Sequence, residues 1–205
     1  MFNSGISVKN LIDELKNTEV DIALEIPDST YVDWLNSLQQ LLYTEIIKEQ
    51  KKKVLKSPFE NNLIDMSLLS ENNENTPYFA DIYAVYTDSG TQLIKSTVSS
   101  GVIFDNTFFK ITDKLAFNTK EVPAALTIVY IVKPALVTMA SLEDSNNTKV
   151  MVPVEFIDLV KSKLRGEAYK LANEDTIAAK WLNDYNVLLE AFKEWISDKS
   201  PKFGI

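Results

Sequence analysis

The 205-residue sequence contains neither cysteine nor histidine. Without cysteine there is no disulfide framework, no thiolate metal site and no cysteine nucleophile. Without histidine the chain lacks the commonest general base and the commonest metal ligand. These absences exclude the usual zinc enzymes and the Ser-His-Asp and Cys-His hydrolases. We therefore expect no cofactor and no bound metal.

Glycine and arginine are also scarce. The five glycines form no phosphate-binding loop, and Arg165 is the only arginine. Arginine forks that read bases or grip phosphates are therefore not expected. With a net charge of -8, the chain cannot wrap nucleic acid by charge neutralisation over its whole surface. Any contact of the protein with DNA is therefore expected to be weak and without sequence recognition.

Long hydrophobic runs are missing as well. The longest predominantly apolar stretch, residues 124–132, is far shorter than the roughly 20 residues that cross a bilayer. The first residues lack the basic region and apolar run of a signal peptide. We expect a protein that is made in a cytosol and has no membrane partner. The hydrophobic fraction of 45% is ordinary for a globular protein.

Helical periodicity is found towards both ends of the sequence. A short helix is predicted over residues 7–16, with Ser7 as its cap. A second helix is predicted to start at residues 28–30 and to run to about Lys53, where lysines suit a helix C-terminus. Two more amphipathic helices are predicted after Pro153 and after residue 175. Such helices must pack on one another to be stable.

The middle of the sequence has the composition of strands. Between residues 78 and 134, β-branched and aromatic residues alternate with turn signals. The expected fold is α+β, a discontinuous α-helical bundle with an inserted antiparallel β-sandwich or barrel domain. The bundle comprises residues 1–56 and 150–197, and the inserted β domain comprises residues 78–140. Residues 57–77 form a loop-rich connection, and residues 198–205 form an extended C-terminal tail.

Acidic residues in predicted turns are the remaining candidates for catalysis. For glycoside hydrolysis, two carboxylates would need to face each other across a cleft, roughly 5–10 Å apart. Turn carboxylates are more often there for capping and solubility. We therefore predict no catalytic residue, and a protein that is not an enzyme. The carboxylates considered are Asp105, Glu143, Asp144, Glu174 and Asp175.

Three surfaces are candidates for partner contact. The lysines near residue 50 are either a solvated helix end or a contact for an acidic neighbouring subunit or DNA, and the acidity of the rest favours the subunit. Trp195 lies beside the stripe through Phe192 and Ile196, so it is either a core residue or an interface anchor. The tail is either a frayed end or an extended segment that joins a partner's sheet edge. The candidate interface residues are Lys48, Lys51, Lys52, Lys53, Trp195, Pro201, Phe203 and Ile205.

Several segments share a pattern with one protein family. A strand-like run ends in Lys-Pro, a Val-Pro-Val-Glu-Phe segment follows, and two helices rich in small and aromatic residues come next. The segments are residues 26–28, 34–36, 128–134, 152–156, 165–172 and 178–185. They resemble the head-to-tail adaptor (neck or ring) proteins of tailed bacteriophages, especially the larger adaptors of short-tailed and crAss-like phages. The resemblance covers about residues 26–50 and 126–192.

This resemblance implies a structural, non-enzymatic virion protein. Twelve copies would form a ring beneath the portal protein, connect the capsid to the tail and extend the channel through which genomic DNA passes. The C-terminal tail would reach the portal, and the β domain would face outward or towards further tail or ring proteins. Assembly would take place in the bacterial cytoplasm.

A different class of protein is the alternative. The β segment by itself would also suit a non-catalytic β-sandwich module that binds carbohydrate or protein. Such a module is expected to carry a signal peptide or an aromatic platform on its loops, and the sequence shows neither. An enzyme ranks third.

Overall fold

The chain folds into two compact units. The computed structural model describes residues 4–18, 26–66, 79–96, 104–111, 114–134, 136–143 and 148–199. The first unit, here called the helical unit, comprises residues 1–47 and 136–205, and the second, the β unit, comprises residues 48–135. Each unit has a hydrophobic core of its own. The β unit is therefore continuous in sequence, whereas the helical unit is built from both ends of the chain.

The described part of the helical unit contains four α-helices. Helix α1 shows why these segments are helical: Val8, Leu11, Ile12 and Leu15 recur at helical spacing, and all four are buried. Its first turn is capped as predicted, because the Asn10 amide donates to the Ser7 hydroxyl at 3.1 Å. The helices are α1 (Val8–Thr18), α2 (Asp28–Leu41), α3 (Ile157–Leu171) and α4 (Asp175–Lys199).

Helices α3 and α4 form an antiparallel hairpin. Contacts run in opposite directions along the two helices: the ring of Phe156, just before α3, meets Phe192, and Gly166 faces Leu182. The connecting turn contains Asn173 at φ 61°, a left-handed conformation that asparagine tolerates. The predicted helical segments after Pro153 and after residue 175 are confirmed by α3 and α4.

Two side-chain amides tie α2 to the chain that returns from the β unit. Asn36 makes a pair of 2.8 Å hydrogen bonds with Val137, accepting from its amide and donating to its carbonyl. The buried Gln39 accepts from the Met151 amide at 2.7 Å. These bonds satisfy backbone groups that would otherwise be buried without a partner.

The β unit is built on one seven-stranded sheet. The strand order is β1-β7-β3-β4-β5-β6-β2. Strand β7, with buried residues on both faces, lies between β1 and β3 and pairs antiparallel with both. The strands are β1 (Gln50–Lys56), β2 (Leu63–Asp65), β3 (Phe79–Thr87), β4 (Gln92–Lys95), β5 (Thr107–Ile111), β6 (Lys114–Asn118) and β7 (Ala125–Val132).

The prediction that the second helix continues to Lys53 is wrong. Helix α2 passes into a π-helical turn, Leu42–Ile47, and Lys48 then adopts a φ of 47°. Residues beyond Lys48 form strand β1 instead. Lysine and glutamine favour helices when only local preferences act. Here pairing with β7 along the full length of β1 overrides that preference, because strand propensity depends mainly on tertiary context.

The overall class, mixed α and β, is confirmed, but two finer features of the predicted fold are not. The described strands form a single sheet, so a sandwich or a closed barrel inserted into a helical bundle is not confirmed. The sheet is also not wholly antiparallel, because β4 and β5 run parallel. Sequence periodicity identifies strands but not the direction in which two strands pair, so this feature was not predictable from it.

Candidate partner-binding surfaces

The predicted lysine cluster lies on an edge of the sheet. Strand β1 is the first strand in the sheet order, and within the described residues only β7 pairs with it. Lys51, Lys52 and Lys53 lie within this strand, and Lys48 comes just before it. The cluster is therefore not the end of a helix, as the sequence suggested, but a basic edge strand.

The hydrogen-bond register shows which backbone groups of β1 face outward. The Val132 amide donates to the Glu49 carbonyl at 2.8 Å, and the Ser57 amide donates to the Ala124 carbonyl at 2.9 Å. In an antiparallel pair, such bonded positions alternate with positions whose N–H and C=O point away. Odd-numbered residues from 49 to 57 therefore bond to β7. Gln50, Lys52, Val54 and Lys56 direct their backbone groups towards the open edge.

Side-chain exposure follows the same alternation. Gln50, Lys52, Val54 and Lys56 are exposed, and Val54 keeps 58% of its surface accessible. The residues between them are half-buried, and one of these, Leu55, packs against the core of the β unit. Val54 and Gln50 could not be identified as surface candidates from the sequence, because the helical interpretation hid the alternation of the strand.

Charge separates this edge from the rest of the molecule. Residues 48–56 contain five lysines and one glutamate, a net charge of +4, so all other residues together carry -12 of the total of -8. The basic strand is therefore a local exception in an otherwise acidic chain.

Trp195 lies in an aromatic cluster of the helical unit. Its ring is 5.4 Å from that of Phe156 and 6.2 Å from that of Phe192. Phe192 is fully buried, whereas Trp195 is half-buried and packs against the core. One part of the side chain therefore contacts the core and another part remains accessible, and the role of Trp195 as an interface anchor stays a prediction.

The other predicted interface residues lie beyond the described chain. Pro201, Phe203 and Ile205 belong to the C-terminal tail, and the description ends at Lys199. The extended tail therefore stays a prediction.

A shallow groove runs between α3 and α4. Its volume is ≈ 500 Å³, and its lining includes Arg165 and Trp181. The Arg165 guanidinium lies 4.7 Å from the centre of the Trp181 ring. Arg165 also donates to the Thr18 hydroxyl at 3.2 Å, and nearby Lys161 pairs with Glu14 at 2.6 Å. The basic groups that line this groove are thus engaged in holding α1 and α4 against α3.

A second depression, of ≈ 540 Å³, lies in the β unit. Hydroxyl groups line it at the β3–β4 turn, where Asp88 also accepts a hydrogen bond from the Ala124 amide at 3.1 Å. No aromatic ring is among its lining residues within the described chain. The stacking platform expected of a carbohydrate-binding loop is therefore not found among them.

The titratable groups form no recognisable reaction centre in the described residues. Asp105 is exposed and lies 4.0 Å from Lys120, and Glu174 and Asp175 are exposed at the start of α4. Burial raises the pKa of Tyr185 above its ordinary value. No group of three or more acidic side chains able to hold a metal ion occurs in the described ranges. Nor is any helix there long and apolar enough to span a bilayer.

Comparisons with protein families and with curated proteins found no similar protein. No protein-family profile matches the sequence, and no curated protein matches it. The candidate surfaces are therefore identified from the geometry and charge of this chain alone.

Proposed function

We propose that this chain is a structural, non-enzymatic virion protein of a tailed bacteriophage. The chain would act as a head-to-tail adaptor that forms a ring beneath the portal. The ring would connect the capsid to the tail and extend the channel for genomic DNA, without recognition of the base sequence. Twelve copies would close the ring through a repeated head-to-tail contact, as heterologous interfaces do when their rotation closes. In this proposal the finer architecture is a helical bundle that carries the inserted β domain.

The observation that carries the proposal is the α3–α4 hairpin. The segments that resemble phage adaptors include both helices and the proline-opened turn before them. Along α4 the inner side is buried at Ala178, Tyr185 and Phe192. Val187, by contrast, keeps 64% of its surface accessible. A long helix with one face packed and an apolar residue on the other suits lateral packing between copies.

The arrangement of the β unit gives further support. The chain enters this unit at β1 and leaves it at β7, and these two strands are neighbours. An insertion with adjacent ends can project from a ring without disturbing the helices that would form it.

Electron microscopy and native mass spectrometry test this function directly. The purified chain is mixed with the portal protein encoded in the same genome, and we expect a ring bound to one face of the portal. Val187→Glu should weaken ring formation at least tenfold, because it places a charge in the proposed lateral contact. Ile94→Glu, at a residue of the β unit that is 69% exposed, is the matched control. A chain that stays monomeric at high concentration with its portal would contradict the proposal.

The alternative of a non-catalytic binding module has one specific observation in its favour. Among the residues that the structure describes, β1 is paired on one side only, so its other side can accept a strand of another protein whether or not the chain forms a ring. A carbohydrate ligand is less well supported, because the hydroxyl-lined depression has no aromatic ring among its described lining residues.

A further inference from the structure

The two ends of the sheet are unlike each other. At one end, β2 has only three residues, and short edge strands are a common protection against unwanted pairing. At the other end, β1 has seven residues, contains no proline, and pairs with β7 in an unbroken register. Its outward backbone groups form a regular row at Gln50, Lys52, Val54 and Lys56. A strand of this length and regularity is suited to pairing with another strand.

We infer that β1 binds an extended acidic segment of another protein by adding it to the sheet as an eighth strand. The incoming backbone would bond to the outward N–H and C=O groups of β1. Its carboxylates would meet Lys52 and Lys56, and a small apolar side chain would cover Val54. The inference goes beyond ring assembly, since a single folded copy suffices for the binding.

The spacing of charges supports this partner. Lys52 and Lys56 lie on the same face of β1 and are separated by about 13 Å, from a rise of roughly 3.3 Å per residue. Acidic residues four positions apart on an added strand have the same separation. Directly opposite charges on paired strands stabilise the pair by about 0.2–1 kcal/mol each. The side-chain pattern therefore selects acid, apolar, acid at every second position.

Two other occupants fit less well. A second copy of β1 would bring lysines opposite lysines, which is repulsive. Nucleic acid would be attracted by the charge, but its phosphate oxygens only accept hydrogen bonds. They cannot satisfy the outward carbonyls of Gln50, Lys52 and Val54, which need a donor. A polypeptide backbone supplies donors and acceptors in the required alternation.

Lysines on an edge strand also have a purely protective role, which is to discourage aggregation. The two roles differ in what they predict. A protective edge rejects every strand, whereas a docking edge rejects neutral and basic strands and accepts acidic ones.

Binding is measured with the full chain and a fluorescein-labelled nine-residue peptide, Thr-Thr-Glu-Thr-Val-Thr-Glu-Thr-Thr, in which two glutamates four positions apart flank a valine on the same face. We expect saturable binding by fluorescence anisotropy, weakened by salt, with slowed amide hydrogen exchange at Lys52, Val54 and Lys56. The same peptide with lysine in place of glutamate should not bind.

Two variants separate backbone pairing from charge. Val54→Pro removes one outward N–H and leaves the ladder to β7 intact, so it should weaken peptide binding at least tenfold, while Val54→Ala should change it less than threefold. The double variant Lys52→Glu, Lys56→Glu should lose the acidic peptide and bind the lysine peptide. Lys120→Glu, at a side chain that is 81% exposed, is the charge control. Thermal unfolding of each variant verifies its fold.

Several results would overturn the inference. A single-stranded oligonucleotide that displaces the acidic peptide, binds more tightly than it does and is insensitive to Val54→Pro would identify a nucleic-acid site. Protection of the β1 amides without peptide, rising with protein concentration, would identify contact between copies. Equal binding by Val54→Pro and Val54→Ala, or no binding of the acidic peptide, would leave β1 a protective edge. None of these results depends on whether the portal ring forms.

Discussion

The helical unit and the β unit bury their apolar residues in different ways. In the helical unit, helices from the two ends of the chain enclose one core, which includes Leu35, Leu164 and Phe192. The β unit collects its core from one continuous stretch of sequence, and among the described residues its strand β1 is paired on one side only. The helical core therefore depends on contacts between residues far apart in sequence, whereas the β unit carries the edge strand to which a new strand can be added.

The largest effect that tests this comparison is expected from Phe192→Ala. Phe192 is fully buried and contacts Phe156 and Trp195. Its truncation should lower the free energy of unfolding by about 3–5 kcal/mol. Tryptophan fluorescence during urea unfolding measures the loss, because all three tryptophans belong to the helical unit. Val187→Ala should change the stability by no more than about 0.5 kcal/mol.

The counterpart in the β unit is Leu115→Ala, at a residue with no exposed surface. The change should cost about 2–5 kcal/mol within the β unit. If the two cores are independent, the unfolding midpoint reported by tryptophan fluorescence should not move. A shift equal to that of Phe192→Ala would show that the two units unfold together and that their cores are not independent.

The sequence predicted the helical unit better than the β unit for a physical reason. The stripes of α1, α3 and α4 are local patterns, and each helix forms where its stripe predicts. Strand β7 was also predictable, since alternating β-branched residues favour a strand wherever it lies. Strand β1 was not, because its lysines and glutamine resemble a helix end. Its conformation depends on β7, about 75 residues further along the chain.

The candidate surfaces were likewise only partly predictable from local sequence patterns. The lysines were chosen for their charge, which the sequence gives directly, but their element was wrong. Trp34 and Trp181 both lie in amphipathic helices, and both are only half-buried. Trp181 instead lies against Arg165 at 4.7 Å. A helical stripe indicates which residues face a neighbour, but not how completely the neighbour covers them.

A smaller effect on the helical unit is expected where Gly166 of α3 faces Leu182 of α4. A Cβ atom on Gly166 would lie 2.6 Å from Leu182 Cδ2 and 2.7 Å from its Cγ. Overpacking of this kind costs about 1–3 kcal/mol, and alanine recovers about 1 kcal/mol of helix propensity. Gly166→Ala should therefore lower the free energy of unfolding by about 1 kcal/mol, measured by urea unfolding.

The matched control shortens the Leu182 side chain, which a Cβ atom on Gly166 would otherwise meet. In the background of Leu182→Ala, Gly166→Ala should become stabilising by about 0.5–1 kcal/mol, because only the gain in helix propensity remains. The same loss in both backgrounds would show that the contact with Leu182 does not require glycine at this position.

The smallest effect is expected at high pH and concerns the helical unit alone. Burial raises the pKa of Tyr185 above its ordinary value of 10.0, so the folded chain holds this proton more tightly than the unfolded chain. Below pH 9 both states are protonated and the stability does not depend on the group. Above about pH 10 the unfolded state ionises first and is stabilised, so the free energy of unfolding falls as the pH approaches the raised pKa. For one proton the slope is at most about 1.4 kcal/mol per pH unit.

Tyr185→Phe removes the ionisable hydroxyl and with it this contribution to the pH dependence of the free energy of unfolding. Urea unfolding followed by far-UV circular dichroism should show parent and variant with parallel pH dependence below pH 9. Above about pH 10 the variant should lose stability less steeply than the parent. Tyr83→Phe, at a side chain of the β unit that is 60% exposed, is the control and should follow the parent throughout. Parallel curves for Tyr185→Phe and the parent across the alkaline range would mean that Tyr185 ionises as readily in the folded helical unit as in the unfolded chain.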